Sequence, residues 1–81
     1  MSKRIEIENI FTVFRLSLDL DPNYELLPNS SYQEVRGWDS LGHMRLIAGL
    51  EDEFDIEFEI EEIIDLNTIQ KIFELVNSKL C

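Results

Sequence analysis

The chain has 81 residues, with 17 acidic against 7 basic side chains, a net charge of −10 and a single cysteine. That length makes one small domain spanning residues 1–81, and its charge repels nucleic acid and anionic membrane and favours partners with basic surfaces. One cysteine at the very end, Cys81, forms no internal disulfide and reads as an incidental thiol, and no long apolar run follows Lys3 and Arg4, so the expectation is a soluble, monomeric, cytoplasmic protein.

In the first segment Ile7, Ile10, Phe11, Phe14 and Leu18 recur at i, i+3, i+4, i+7 and i+11, which predicts a helix from Lys3 to Leu18 with one apolar stripe. The pattern then dissolves into turn chemistry from Asp19 to Asp39, a loop of about twenty residues. Leu26, Leu27, Tyr32 and Val35 are the residues expected to hold that loop across the domain, with a short helical turn near Ser31 to Val35. Asp19, Asp21 and Asn23 imitate the start of a calcium loop, but Tyr24 stands where glycine is required and Ser30 where glutamate is required.

A second helix should start at Asp39, a good N-cap residue, and run to Glu53. Leu46, Ile47, Leu50 and Phe54 share one arc and face the core, while Leu41, Met44 and Ala48 fall on another arc flanked by Arg45, Glu51 and Asp52. A helix with two apolar faces in a small domain has one to spare for a partner. Nine carboxylates then lie between Glu51 and Asp65 without a lysine or arginine among them, interleaved with Phe54, Ile56, Phe58, Ile60, Ile63 and Ile64. Such charges are held in a fixed array by a folded segment, as a docking surface requires. Ile56 to Ile60 has no strand to pair with and reads as an extended connector, followed by a short helix from Ile60 to Asp65. Asn67 with Gln70 three residues on suggests a capping box for the last helix, which buries Ile69, Ile72, Phe73 and Val76. The fold class is all-α: a small antiparallel bundle of three main helices and one short helix.

Few residues could do chemistry. Ser40 and His43 stand i, i+3 on one helix, but nothing supplies the orienting carboxylate and oxyanion hole of a hydrolase. His43 reads better as a partly buried polar residue at the helix edge. Ser40 itself sits in the first turn of a helix, where an exposed hydroxyl meets free backbone N–H groups able to receive a phosphate. Serine at a helix start is more often a cap, so position alone leaves a modified serine and an ordinary one both open.

Asp39-Ser40-Leu41 at the start of an amphipathic helix, with Leu46, Leu50 and the closing Glu51-Asp52-Glu53-Phe54, resembles the acyl carrier protein family, and the order and length of elements agree over essentially the whole chain. The resemblance implies a helical bundle whose Ser40, preceded by Asp39, carries a covalent 4′-phosphopantetheine arm holding acyl groups as thioesters, with no catalysis of its own. It implies partners as well: a phosphopantetheinyl transferase, an acyl-loading ligase or acyltransferase, and synthase and modifying enzymes with basic surfaces that dock on Leu41, Met44, Arg45, Ala48, Glu51 and Asp52. Gly42 and Arg45 depart from the family by replacing acidic residues, and both are expected on the exposed arc, where Gly42→Asp should favour the helix. Trp38 before Asp-Ser resembles specialised polyketide, peptidyl or stand-alone aminoacyl carriers more than fatty-acid carriers. The competing readings are an unmodified acidic helical module and, further off, a Ser40/His43 hydrolase.

Overall fold

The computed structural model describes residues 4–80; Lys3, the expected start of the first helix, and Cys81 lie outside the described residues. Among the described residues four helices follow one another, α1 (Ile7–Ser17), α2 (Ser40–Phe54), α3 (Ile60–Asp65) and α4 (Ile69–Leu80), and form an all-α bundle.

Helix α1 begins later than its apolar pattern suggests because the backbone before it is already committed. Ile5 donates its N–H to Asn77 Oδ1 at 2.9 Å and accepts from Asn77 Nδ2 at 3.4 Å, so the main chain there is held by α4 instead of by a helical turn. Asn9 Oδ1 then takes the Glu6 N–H at 2.8 Å, satisfying one of the donors a helix start leaves free. Ile10 and Phe14 are buried as expected, together with Val13, which rotates the buried arc away from Phe11. The rotation follows from a close approach to α2: a Cβ on Gly49 would sit 2.5 Å from Ser17 Oγ and 3.4 Å from Val13. Val13 lies against Gly49 while Leu18 lies against Gly42, so α1 and α2 run antiparallel.

The long loop contributes four core side chains, Leu20, Leu26, Val35 and Trp38. Leu27 is not among them. It is 49% exposed, because a turn in which Ser30 N–H donates to Leu27 O and Leu27 N–H to Ser30 Oγ carries its side chain outward. From Ser31 to Val35 the chain makes turns and no helix, with Glu34 receiving both the Ser31 N–H (3.1 Å) and hydroxyl (2.6 Å). The loop is fastened to the start of α4: Ile69 N–H donates to Ser30 O, Gln70 N–H to Pro28 O, and Tyr32 N–H to Asn67 O. Loop carbonyls thus take helix donors that would otherwise be orphaned. Thr68 completes the cap by accepting the Lys71 N–H at 3.2 Å, which corrects the expected Asn67–Gln70 box; Gln70 instead bonds Glu74 one turn on.

Helix α2 is capped at its C-terminal end by Asp55, which adopts the left-handed conformation, and residues 56–59 form the connector. The connector places Phe58 in the core. Helix α3 caps itself, since Glu62 accepts the Glu59 N–H at 2.8 Å. The acidic stretch is less bare than its sequence implies, because α4 supplies a cation from outside it: Lys79 Nζ lies 2.9 Å from Glu62 and over the Phe58 ring. That neutralises one carboxylate among nine. Added salt should therefore still stabilise the fold by screening the rest, and circular dichroism melts should show the melting temperature rising with ionic strength. A flat or falling trend would mean that their repulsion does not limit stability.

Two carboxyls in these caps are held below the usual glutamate range. For Glu34 the first cause is the Ser31 hydroxyl, with the Ser31 N–H second; for Glu62 it is the Glu59 N–H, with the Lys79 ammonium second. Depressed values mean that the stabilisation from these bonds is fully present above the ordinary glutamate value of about 4.3 and is lost as pH falls through the lowered ones. The Ser31 and Glu59 amide proton resonances should accordingly titrate with midpoints below that value. Midpoints at or above it would show that the bonds do not persist in solution.

Candidate functional site

Asp39 and Ser40 divide the work at the start of α2. Asp39 is extended and its Oδ1 accepts the Gly42 N–H at 2.9 Å, while its carbonyl accepts the His43 N–H at 2.7 Å. The capping function therefore belongs to Asp39. Ser40 is left exposed as the first helical residue, its hydroxyl 3.5 Å from the Tyr32 hydroxyl. An exposed hydroxyl at the positive end of a 15-residue helix suits the attachment of a phosphodiester, whose charge the helix dipole favours. The residues present thus fit a phosphopantetheine arm.

The next residues on α2 close the site from behind. Gly42 is buried, and a Cβ there would fall 1.8 Å from the Gly37 carbonyl oxygen and 3.0 Å from Leu18 Cδ2. This overturns its expected place on the exposed arc. Gly42 belongs to the core side, one turn before Leu46, and its lack of a side chain lets the loop pass against the helix.

Trp38 is 1% exposed and packs edge-on to Phe14 at 4.8 Å between ring centres. Its indole N–H donates to His43 Nδ1 at 2.9 Å, and His43 Nε2 lies 2.8 Å from Ile63 O. An indole N–H can only donate and a carbonyl can only accept, so His43 carries its proton on Nε2 and donates it to α3. Both ring nitrogens are committed away from Ser40. The Ser40/His43 hydrolase thereby lacks its base.

Beside Ser40 a cavity of about 410 Å³ opens between the loop, α2 and α3. Met44, Ile63, Ile64 and Leu66 give it apolar walls, and Tyr32, His43 and Asn67 give it polar ones. Tyr32 stands edge-on to both Trp38 and His43, which fixes its ring over the Ser40 side. Sequence reasoning placed Tyr32 in the loop without linking it to Ser40, and left Trp38 outside the core. A usable signal was present: a buried indole needs an acceptor, and His43, five residues on, is a side chain that can supply one while Asp39 caps the helix.

The outward arc of α2 carries Leu41 (64% exposed) and Met44 (54%), with Arg45, Ala48 and Asp52 also exposed. Glu51 differs from the other residues of the expected docking set. It is half-buried and its Oε2 accepts the Phe58 N–H at 3.0 Å, so it secures the connector to α2. Among the described residues no helix is long and apolar enough to cross a membrane.

The family described as "Phosphopantetheine attachment site" matches residues 15–76 of the chain. An acyl carrier protein of Thermosynechococcus vestitus is 32% identical over 74 residues, covering 91% of this chain and 90% of that protein. One from Buchnera aphidicola of Schizaphis graminum is 40% identical over 55 residues, covering 68% and 70%. Among solved structures, the holo acyl carrier protein of Geobacter metallireducens superposes with a TM-score of 0.81 at 32% identity, covering 91% of this chain and 84% of that one.

Proposed function

This chain belongs to the acyl carrier protein family, carriers rather than catalysts that bear a covalent 4′-phosphopantetheine group, and from that premise we propose that Ser40 is its attachment residue. The observation that carries the reading is the separation of roles at the start of α2: Asp39 caps the helix, so the exposed Ser40 hydroxyl is free to be modified at no structural cost. In the attachment step Ser40 Oγ loses its proton and attacks the pantetheine-bearing phosphorus of coenzyme A, forming a phosphodiester as the pyrophosphate P–O bond breaks and adenosine 3′,5′-bisphosphate leaves. Once bound, the arm supplies a thiol on which acyl groups are held as thioesters. The chain's own residues then hold the anchoring charge at the helix N-terminus and present the outward arc of α2 to partners.

Those partners are a phosphopantetheinyl transferase, an acyl-loading ligase or acyltransferase, and synthase or modifying enzymes whose basic surfaces meet Asp52 and the carboxylates beyond it around the apolar contact of Leu41, Met44 and Ala48. Arg45 repels part of such a surface and so selects among partners. Together with Trp38 it favours a specialised carrier of polyketide, aminoacyl or related acyl groups over the principal fatty-acid carrier. Residues 1–81 act in this reading as one carrier domain, a monomer of the cytoplasm. Incubation with a phosphopantetheinyl transferase, coenzyme A and Mg²⁺ tests it: intact mass should rise by one arm, and the gain should map to the peptide containing Ser40. No gain would leave the unmodified acidic module.

A further inference from the structure

The cavity beside Ser40 is bounded by a hydrogen-bond chain. Trp38 in the loop, the His43 ring on α2 and the Ile63 carbonyl on α3 are joined in series at 2.9 and 2.8 Å, so three segments of chain are tied together where the cavity meets the core. The Trp38 and His43 rings lie side by side and nearly coplanar, with 6.2 Å between ring centres and 23° between planes, as the bond between them requires. Phe14, Leu46, Leu50 and Ile69, in the same core cluster as Trp38, are fully buried. A long alkyl chain entering that core from the cavity must part α2 from α3. Doing so breaks the bond from His43 to Ile63 and leaves the Nε2–H of a half-buried ring without an acceptor, the costly kind of loss.

We infer that the Trp38–His43–Ile63 chain is a latch that makes His43 a specificity-determining residue, and that the cargo is a short acyl group bearing a polar substituent, held in the cavity and not within the bundle. This rests on Ser40 as the attachment residue. Short cargo has little apolar area to bury, so it gains nothing from opening the latch. The cavity offers it Met44 and Ile64 for its few carbons and the Tyr32 hydroxyl and Asn67 amide for its polar group. A long chain would gain by burial but meets a closed seam.

The test uses a phosphopantetheinyl transferase to install amide-linked arms bearing no acyl group, a 3-hydroxybutyryl group or an octanoyl group, each confirmed by intact mass. In the wild-type protein the octanoyl arm should change the melting temperature by less than about 2 °C relative to the bare arm. It should also leave the Trp38 indole N–H resonance and its exchange protection unchanged. The 3-hydroxybutyryl arm should move the Tyr32 and Asn67 resonances. In His43→Ala the octanoyl arm should raise the melting temperature by about 5 °C or more, as newly admitted chain is buried. Trp38→Phe keeps a ring and removes the N–H donor, so it carries the same comparison if His43→Ala does not fold. The inference is overturned by an octanoyl-induced rise or indole shift in the wild type, by unmoved Tyr32 and Asn67, or by variants that respond no more than the wild type. Absence of any mass gain at Ser40 would overturn the attachment reading and this one together, a failure distinct from all of these.

Discussion

Ser40→Ala is expected to abolish arm attachment completely while leaving the melting temperature within about 2 °C of the wild type. The two halves of that result come from different atoms. Attachment needs the Oγ, and no neighbouring hydroxyl can replace it, because the Tyr32 oxygen belongs to a ring fixed edge-on to Trp38 and His43. Stability needs the cap, which Asp39 provides through Gly42 N–H. At the first helical position alanine is at least as good a helix former as serine, so no loss is expected from propensity. Asp39→Ala should behave in the opposite sense, costing about 1 kcal/mol of stability through the lost cap. Intact mass and thermal melts on the pair decide the matter. A modified Ser40→Ala would move the site elsewhere, and an unfolded one would make the hydroxyl structural.

The second large effect should come from Gly42. From sequence, Gly42→Asp looked favourable, since a flexible residue in the first turn of a helix would be replaced by an acidic one that suits the dipole. Removing glycine from a helix is worth at most about 1 kcal/mol relative to alanine. Against that stands a Cβ placed 1.8 Å from the Gly37 carbonyl oxygen, a main-chain atom that cannot rotate aside. Gly37 has a φ of +81°, so the loop there is already in a conformation that few other residues adopt, and it has little freedom to retreat. Overpacking of this kind costs about 1–3 kcal/mol or more, and both Gly42→Ala and Gly42→Asp should be destabilised by several degrees at least. Denaturant titration of the two variants beside the wild type would measure it. Stabilisation of either would mean that the loop yields, and that the glycine is a matter of partner choice after all.

Gly42 also shows what the sequence offered and how it was misread. It precedes Leu46 by one turn and therefore shares the core face, but its departure from the family pattern drew it toward the docking arc. Elements governed by their own residues were legible: α2 begins after Asp39, α3 spans Ile60–Asp65, and the outward arc of Leu41, Met44 and Ala48 is exposed. Elements governed by distant partners were not. Glu51 looked like another surface carboxylate until the connector folded back to give it Phe58 N–H, and α1 lost its first turn to Asn77, seventy-two residues beyond Ile5. The latch between Trp38, His43 and Ile63 joins residues whose individual roles could be guessed but whose meeting depends on where α3 comes to rest.

The fastening of the long loop to α4 limits where the chain can be lengthened. Pro28 and Ser30 lend their carbonyls to the first donors of α4, and Tyr32 holds Asn67, so one residue added between them shifts the register of every bond and pulls Tyr32 away from Ser40. Between Asp21 and Asn23 the chain is exposed and turns on local bonds alone, the Asn23 N–H to the Asp21 carboxylate and the Tyr24 N–H to the Asp21 carbonyl. Tolerance to insertion follows the bonding of the backbone and not the length of the loop. A peptide tag or sensor segment grafted into this protein therefore belongs at Pro22, at the far end of the loop from the residues that serve α4.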